Sequence, residues 1–195
     1  MNHSVYDSFT WFTRFGDPDL AYGRALSQVT TTMTMRLADA AIVPYQFDDL
    51  ARTAKGYIDQ VQKEFPAVDL REPSKEWWRL AQAARAFNAE YPAALKRAAT
   101  SSSPEKVAKI NALLYGTERA LAPQASGLPG RNWYKHLLYA PGLYTGYGAR
   151  TLPALRESLD AGRLDEARER GKDIAKALRD CAAKVEEAVA LMRKL

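Results

Sequence analysis

The sequence predicts an all-α fold: a helical bundle of about four long helices plus short ones. Three observations predict it. Apolar residues recur at steps of three and four over long stretches, as in Ile174, Leu178, Cys181, Val185, Ala188, Met192 and Leu195. Acid and proline signals that start helices stand ahead of several of these stretches. No segment alternates apolar and polar residues as a half-buried strand would. The 195 residues suffice for one compact domain that buries its apolar surface without disulfides or metals.

The elements follow in order. Asp17-Pro18-Asp19 reads as a capping aspartate with proline at the first helical position, opening a helix over 20–41 that Pro44 ends. A second helix is expected over 47–64, with Leu50, Ala54, Tyr57, Ile58 and Val61 on one face, stopped by Pro66. The stretch 65–73 reads as a loop. A third helix over 74–100 carries Trp77, Leu80, Ala84, Phe87 and Leu95, and Pro92 inside it predicts a kink or a split. Ser101-Ser102-Ser103-Pro104-Glu105 then combines a stop with a capped start, with Ser103 as the cap, for a fourth helix ending near 121.

Residues 122–150 hold eight glycines and prolines and five aromatics, Trp133, Tyr134, Tyr139, Tyr144 and Tyr147. That predicts one long irregular loop, and loops of such length usually carry a function. The aromatics are expected mostly to pin the loop onto the bundle, with Tyr147 a candidate binding residue at its tip. Thr151-Leu-Pro-Ala-Leu155 opens a short helix that Gly162 closes, and a last long helix spans 164–195.

Composition excludes several functions. The net charge is +5, but the cations alternate with acids, as in Arg163-Leu-Asp-Glu-Ala-Arg-Glu-Arg170, which reads as solvated helix faces and not as a nucleic-acid footprint. No stretch approaches the roughly 18 apolar residues of a membrane helix. Residues 1–15 do not read as a signal peptide. Cys181 is the only cysteine, so no internal disulfide forms, and its place in an apolar stripe predicts a buried thiol.

Self-contained catalysis finds no support. The histidines are His3 and His136 alone, whereas a zinc site takes about three or four His, Cys or carboxylate ligands. GxSxG, HExxH, CxxC and a lysine-bearing phosphate loop are all missing. Meanwhile Tyr6, Phe9, Trp11, Phe12 and Phe15 crowd into the ten residues 6–15, a cluster that predicts a covering partner or an adjoining piece of polypeptide.

Four stretches carry a family resemblance. Asn-His-Ser-Val-Tyr-Asp-Ser-Phe (2–9) resembles the end of the peptidase domain in glutamate carboxypeptidase II-like enzymes. Phe15-Gly-Asp-Pro, followed by Leu37-Ala-Asp-Ala and Val43-Pro44, resembles the passage into their helical domain. Gly127-Leu-Pro-Gly-Arg-Asn-Trp-Tyr-Lys-His-Leu-Leu-Tyr-Ala-Pro141 resembles a conserved stretch of that domain. Thr151-Leu-Pro-Ala-Leu155 is similar to the opening of its next helix, also in transferrin receptors.

The resemblance implies a transferrin receptor-like dimerisation domain over 16–195, preceded by a remnant of the peptidase-domain end at 1–15, with Met1-Asn2 either an expression start at that boundary or the start of a stand-alone gene. It implies a homodimer, an upstream peptidase domain as a partner, and an extracytoplasmic setting. The isolated chain is then expected to be inactive, with no catalytic residue and no cofactor of its own, as a part of a zinc-dependent carboxypeptidase or aminopeptidase. By position, His3 is implied to be a zinc ligand and Tyr147 a pocket tyrosine for the substrate's C-terminal carboxylate, both only in the full-length parent. Two departures matter: Asn2 stands where the family usually has tyrosine, and Gly146 where the glutamate-preferring enzyme has lysine. A preference for C-terminal glutamate is therefore not implied. Neither is transferrin binding, because the Arg-Gly-Asp element of transferrin receptors is absent.

Overall fold

The computed structural model describes residues 3–100, 103–123, 127–144 and 147–195. Met1, Asn2, Ser101, Ser102 and Gly146, all used above, lie outside the described residues. Two compact units result, 1–40 and 41–195.

In the first unit a short turn of helix, α1 (Phe9–Trp11), runs into a π-helical turn, Phe12–Gly16. Ser8 caps it, its hydroxyl accepting from the Trp11 N–H at 3.2 Å. Helix α2 spans Ala21–Ala38. Asp17 does cap it, but not with Pro18 as first helical residue. Leu20 takes a left-handed conformation (φ 56°), which lets the chain double back. The buried Asp17 carboxylate then accepts from the Tyr22 and Gly23 N–H groups at 3.1 and 2.8 Å. A helix start leaves backbone donors free, and one carboxylate reaching over an extra turn can satisfy two of them. No residue of α2 is buried; Tyr22, Leu26, Val29 and Met33 form an exposed apolar row.

The second unit is the bundle: α3 (Phe47–Glu64), α4 (Arg71–Thr100), α5 (Pro104–Leu121), α6 (Pro153–Asp160) and α7 (Leu164–Met192). Its middle is α7, which packs on α4, α5 and α6. The predicted stripe is the buried face: Ile174, Leu178, Cys181, Val185, Ala188 and Met192 are all buried. Ala175, Ala177 and Ala182 are buried beside them. Small side chains on that face let neighbouring helices approach closely. From α4 come Leu80, Ala84, Phe87 and Ala94; from α3, Ala54, Ile58 and Val61; from α5, Ile110 and Leu114. Phe47 and Phe87 meet edge to face, with ring centroids 5.0 Å apart.

Helix α4 differs from expectation in three ways. It starts at Arg71, with Pro73 in the first turn, where a missing N–H has no cost. It passes Pro92 without splitting. Pro92 is exposed, so water can take the carbonyl it leaves unpaired, while buried Phe87 and Ala94 hold the helix on either side. Ala94 and not Leu95 faces the core; Leu95 is exposed.

Polar clamps fix the chain between helices. Asn111 of α5 accepts from the Val43 N–H at 3.1 Å and donates to the Ala41 carbonyl at 2.9 Å. The Tyr91 hydroxyl donates to the Ile42 carbonyl at 2.9 Å. Trp77 of α4 donates its indole N–H to the Ala51 carbonyl of α3 at 2.8 Å. Buried Arg156 on α6 pairs with Glu64 at the end of α3.

Phe87→Ala should lower stability by about 3–5 kcal/mol in urea unfolding, the usual range for a buried aromatic. Cys181 is fully buried, and desolvation pushes its thiol up to about 12. It should therefore stay unlabelled by a thiol reagent at pH 8 in the native chain and react fully in guanidinium. Rapid native labelling would show that α7 is not packed as described.

Candidate functional site

The stretch expected to be one irregular loop contains a small hairpin, and near its tip stand the two most exposed aromatics among the described residues, Tyr144 and Tyr147. Strands β1 (Tyr139–Pro141) and β2 (Ala149–Thr151) pair antiparallel, Ala140 opposite Arg150. The absence of strands expected from the sequence fails here. Three residues are too few for an alternating pattern to show.

Ahead of the hairpin the chain folds into a tight double turn. The Leu128 N–H donates to the Tyr134 carbonyl, and the Arg131 N–H to the Leu128 carbonyl, both at 3.0 Å. Gly130 has φ 73°, a conformation that favours glycine. Gly127 is required for space: a Cβ there would lie 2.3 Å from the Asn132 carbonyl oxygen. Leu128, Ala140 and Ala154 make a small second core with Tyr134 against it.

One ion pair binds this assembly to α6. The Arg131 side chain is 7% exposed, and its two terminal nitrogens meet the Glu157 carboxylate at 2.6 and 3.1 Å. The same guanidinium donates to the Pro141 carbonyl at 3.1 Å, at the end of β1. Glu157 also accepts from the Leu143 N–H at 3.3 Å. Thus one buried pair holds the turn, the strand end and the start of the tip together. Arg150 of β2 adds a second pair with Asp160. A cavity of about 470 Å³ lies between tip and helix, lined by Arg131, Leu143, Tyr144, Arg150 and Glu157 among others. That is within the size range of small-ligand sites.

On the other side, Leu137 and Leu138 anchor the chain in the main core. The Leu137 N–H donates to the Leu121 carbonyl at 2.9 Å, and the Leu152 N–H to the Leu138 carbonyl at 2.8 Å. His136, with its side chain 15% exposed, lies between this strand start and Glu118 of α5. Burial lowers its pKa below the ordinary histidine value, and the nearby Glu118 charge opposes that shift.

The sequence expectation that most of these aromatics pin the loop is not met. Tyr134 packs on the small core, and Tyr139 stacks on His136 with centroids 4.1 Å apart. Trp133 is largely exposed, and at the tip Tyr144 and Tyr147 are 93% and 98% exposed. Leucines and the Arg131–Glu157 pair do the anchoring. The sequence reading missed both charged residues; the only sign was an arginine inside a Gly-Pro turn, since Glu157 is one of several polar residues on its short helix.

Tyr147 therefore stands at the hairpin tip of the second unit. His3 lies in the first unit, exposed in a turn with φ 62°. Among the described residues, no group of three or more His, Cys, Asp or Glu is placed to hold a metal.

The ion pair makes a direct prediction. Glu157→Leu leaves the Arg131 charge buried and unpaired, and should destabilise the chain by about 3–5 kcal/mol in urea unfolding. Adding Arg131→Met should recover part of that loss, because it removes the orphaned charge. A double variant no more stable than Glu157→Leu would show that the pair is not the anchor.

Comparison with known proteins places these elements. Residues 68–186 match the transferrin receptor-like dimerisation domain, a span running from just before α4 into α7 and including the hairpin. A probable glutamate carboxypeptidase of Arabidopsis thaliana is 34% identical over 160 residues, 81% of this chain. A probable glutamate carboxypeptidase of Arthroderma benhamiae is 32% identical over 169 residues, 85% of the chain. An inactive zinc metalloprotease of Schizosaccharomyces pombe is 28% identical over 184 residues, 90% of the chain. The chain spans only 22–23% of the length of these curated relatives. On the match over most of its bundle, the chain belongs to the transferrin receptor-like dimerisation domain family.

Proposed function

We propose that this chain is the homodimerisation module of a glutamate carboxypeptidase II-like zinc metallopeptidase, and that it is not catalytic alone. The observation that carries the reading is the dimerisation-domain match lying over α4, α5, the hairpin, α6 and most of α7. On this reading residues 1–15 are the end of a peptidase domain and 16–195 the helical domain. The exposed row on α2 and the exposed Tyr6, Phe9 and Phe15 support an upstream peptidase domain as a partner, since apolar surface of that extent favours being covered. A family-type dimer should bury roughly 2,000 Å² or more.

The test is the solution mass across a wide concentration range. A stable mass of twice 21.7 kDa supports self-association by this chain. A monomer at all concentrations removes that reading.

A second reading rests on the hairpin tip. Tyr147, nearly fully exposed on an anchored hairpin, is suited to reach a ligand held by another domain. In the full-length parent it would bind a substrate carboxylate, with His3 supplying one zinc ligand to a site built mostly elsewhere. In that parent, Tyr147→Phe should raise KM several-fold for peptides with a free C-terminal carboxylate and leave amidated peptides unaffected. An equal effect on both would contradict the role.

A further inference from the structure

The imidazole of His136 is held by four groups at once. Its Nδ1 faces two backbone donors, the Leu138 N–H at 3.3 Å and the Tyr139 N–H at 3.4 Å. Its Nε2 lies 3.2 Å from a Glu118 carboxylate oxygen, and the Tyr139 ring stacks on it at 4.1 Å. Two N–H groups aimed at Nδ1 require a lone pair there, so the proton belongs on Nε2, which donates to Glu118. This is a neutral imidazole, complete on both sides.

Protonation changes one end only. It places a third N–H at Nδ1, against two donors, and takes the imidazole acceptor away from the Leu138 and Tyr139 amides. Those two amides belong to the residue just before β1 and to its first residue, where the chain enters the hairpin that presents the exposed tip. We propose that His136 is a pH-sensitive latch: neutral, it fastens the start of the tyrosine-bearing hairpin to α5, and on protonation it releases it.

The surroundings fit this direction. The charged group paired with the ring is Glu118 of α5, and its own segment carries the cation Lys135 next to it in sequence and Tyr139 stacked on it. Behind Glu118, Tyr45 and the Cys181 thiol of α7 sense its charge, and Lys184 of α7 acts on Cys181. Both Tyr45 and Cys181 are pushed upward, so neither titrates in the acid range. Glu118 favours the imidazolium, but desolvation outweighs it and the His136 pKa lies below its ordinary value of 6.5. With the folded value below the unfolded one, the latch contributes fully above about pH 6.5 and is lost as the pH falls toward the folded value. The inference does not depend on what the tip binds.

Amide hydrogen exchange by NMR tests it, with the intrinsic pH dependence of exchange corrected. Only two histidines are present, so the His136 ring signals are assignable. Between about pH 7.5 and about pH 5, protection of the Leu138 and Tyr139 amides should fall by about tenfold. Ile174 to Val185 should not change. His136→Asn keeps a side-chain acceptor for the amide two residues on, as in an Asx turn, and should remove the pH dependence. Glu118→Gln keeps the acceptor for Nε2 but removes the charge, and should move release to lower pH. Unchanged protection in the wild-type chain down to pH 5 overturns the proposal. So does a His136→Asn chain that loses protection with acid as the wild type does.

Discussion

The seam between α4 and α7 is the contact the rest of the second unit depends on. Each helix is close to 30 residues long, so a single apolar face on each gives a continuous buried strip. Alanines alternate along it with Leu80, Phe87, Leu178 and Val185, which lets the axes come close while larger side chains fill the spaces between. The opposite flank of α7 then has α5 and α6 to cover it, and α3 closes over α4 through Trp77 and the Phe47–Phe87 contact. Without this seam none of the shorter elements has a surface to bury against.

The hairpin is stabilised by a different kind of interaction. Its strands are three residues each and a hairpin of that length is not stable on its own in water. It stands because leucines at its base enter the main core and because Arg131 reaches Glu157 and the Pro141 carbonyl from one position. A buried ion pair contributes little net stability compared with an apolar pair, but it fixes geometry, since either partner alone is costly. The arrangement leaves two tyrosines almost wholly in solvent on a base that cannot slide. That is a reasonable construction for a part that has to meet another surface, and it accords with membership of a dimerisation-domain family whose relatives are several times longer than this chain.

The long helices were legible because their signal is repeated many times. The α7 stripe offers seven positions in register, and one misplaced residue does not obscure it. The α3 face was read correctly for the same reason. Single-residue decisions were less legible. Whether Leu95 or Ala94 faces inward depends on a fraction of a helical turn. Asp17 was identified as a cap, but its reach to Tyr22 and Gly23 depends on the left-handed Leu20, a conformation that leucine rarely adopts and that no local pattern signals. The site was the least legible part. That Tyr147 is exposed at a loop tip was legible because a tyrosine among glycines is conspicuous, while Arg131, Glu157 and His136 act through partners 18 to 26 positions away or through turn geometry, which no local pattern encodes.

The most direct measurement of the central claim is residue-resolved hydrogen exchange of the whole chain under native conditions. If the α4–α7 seam holds the bundle, the slowest amides are those of 80–87 in α4 and 174–189 in α7, exchanging only when the unit unfolds, while the hairpin and α2 exchange through smaller openings. Slowest exchange in α2 or the hairpin, or α7 exchanging as fast as they do, would contradict it.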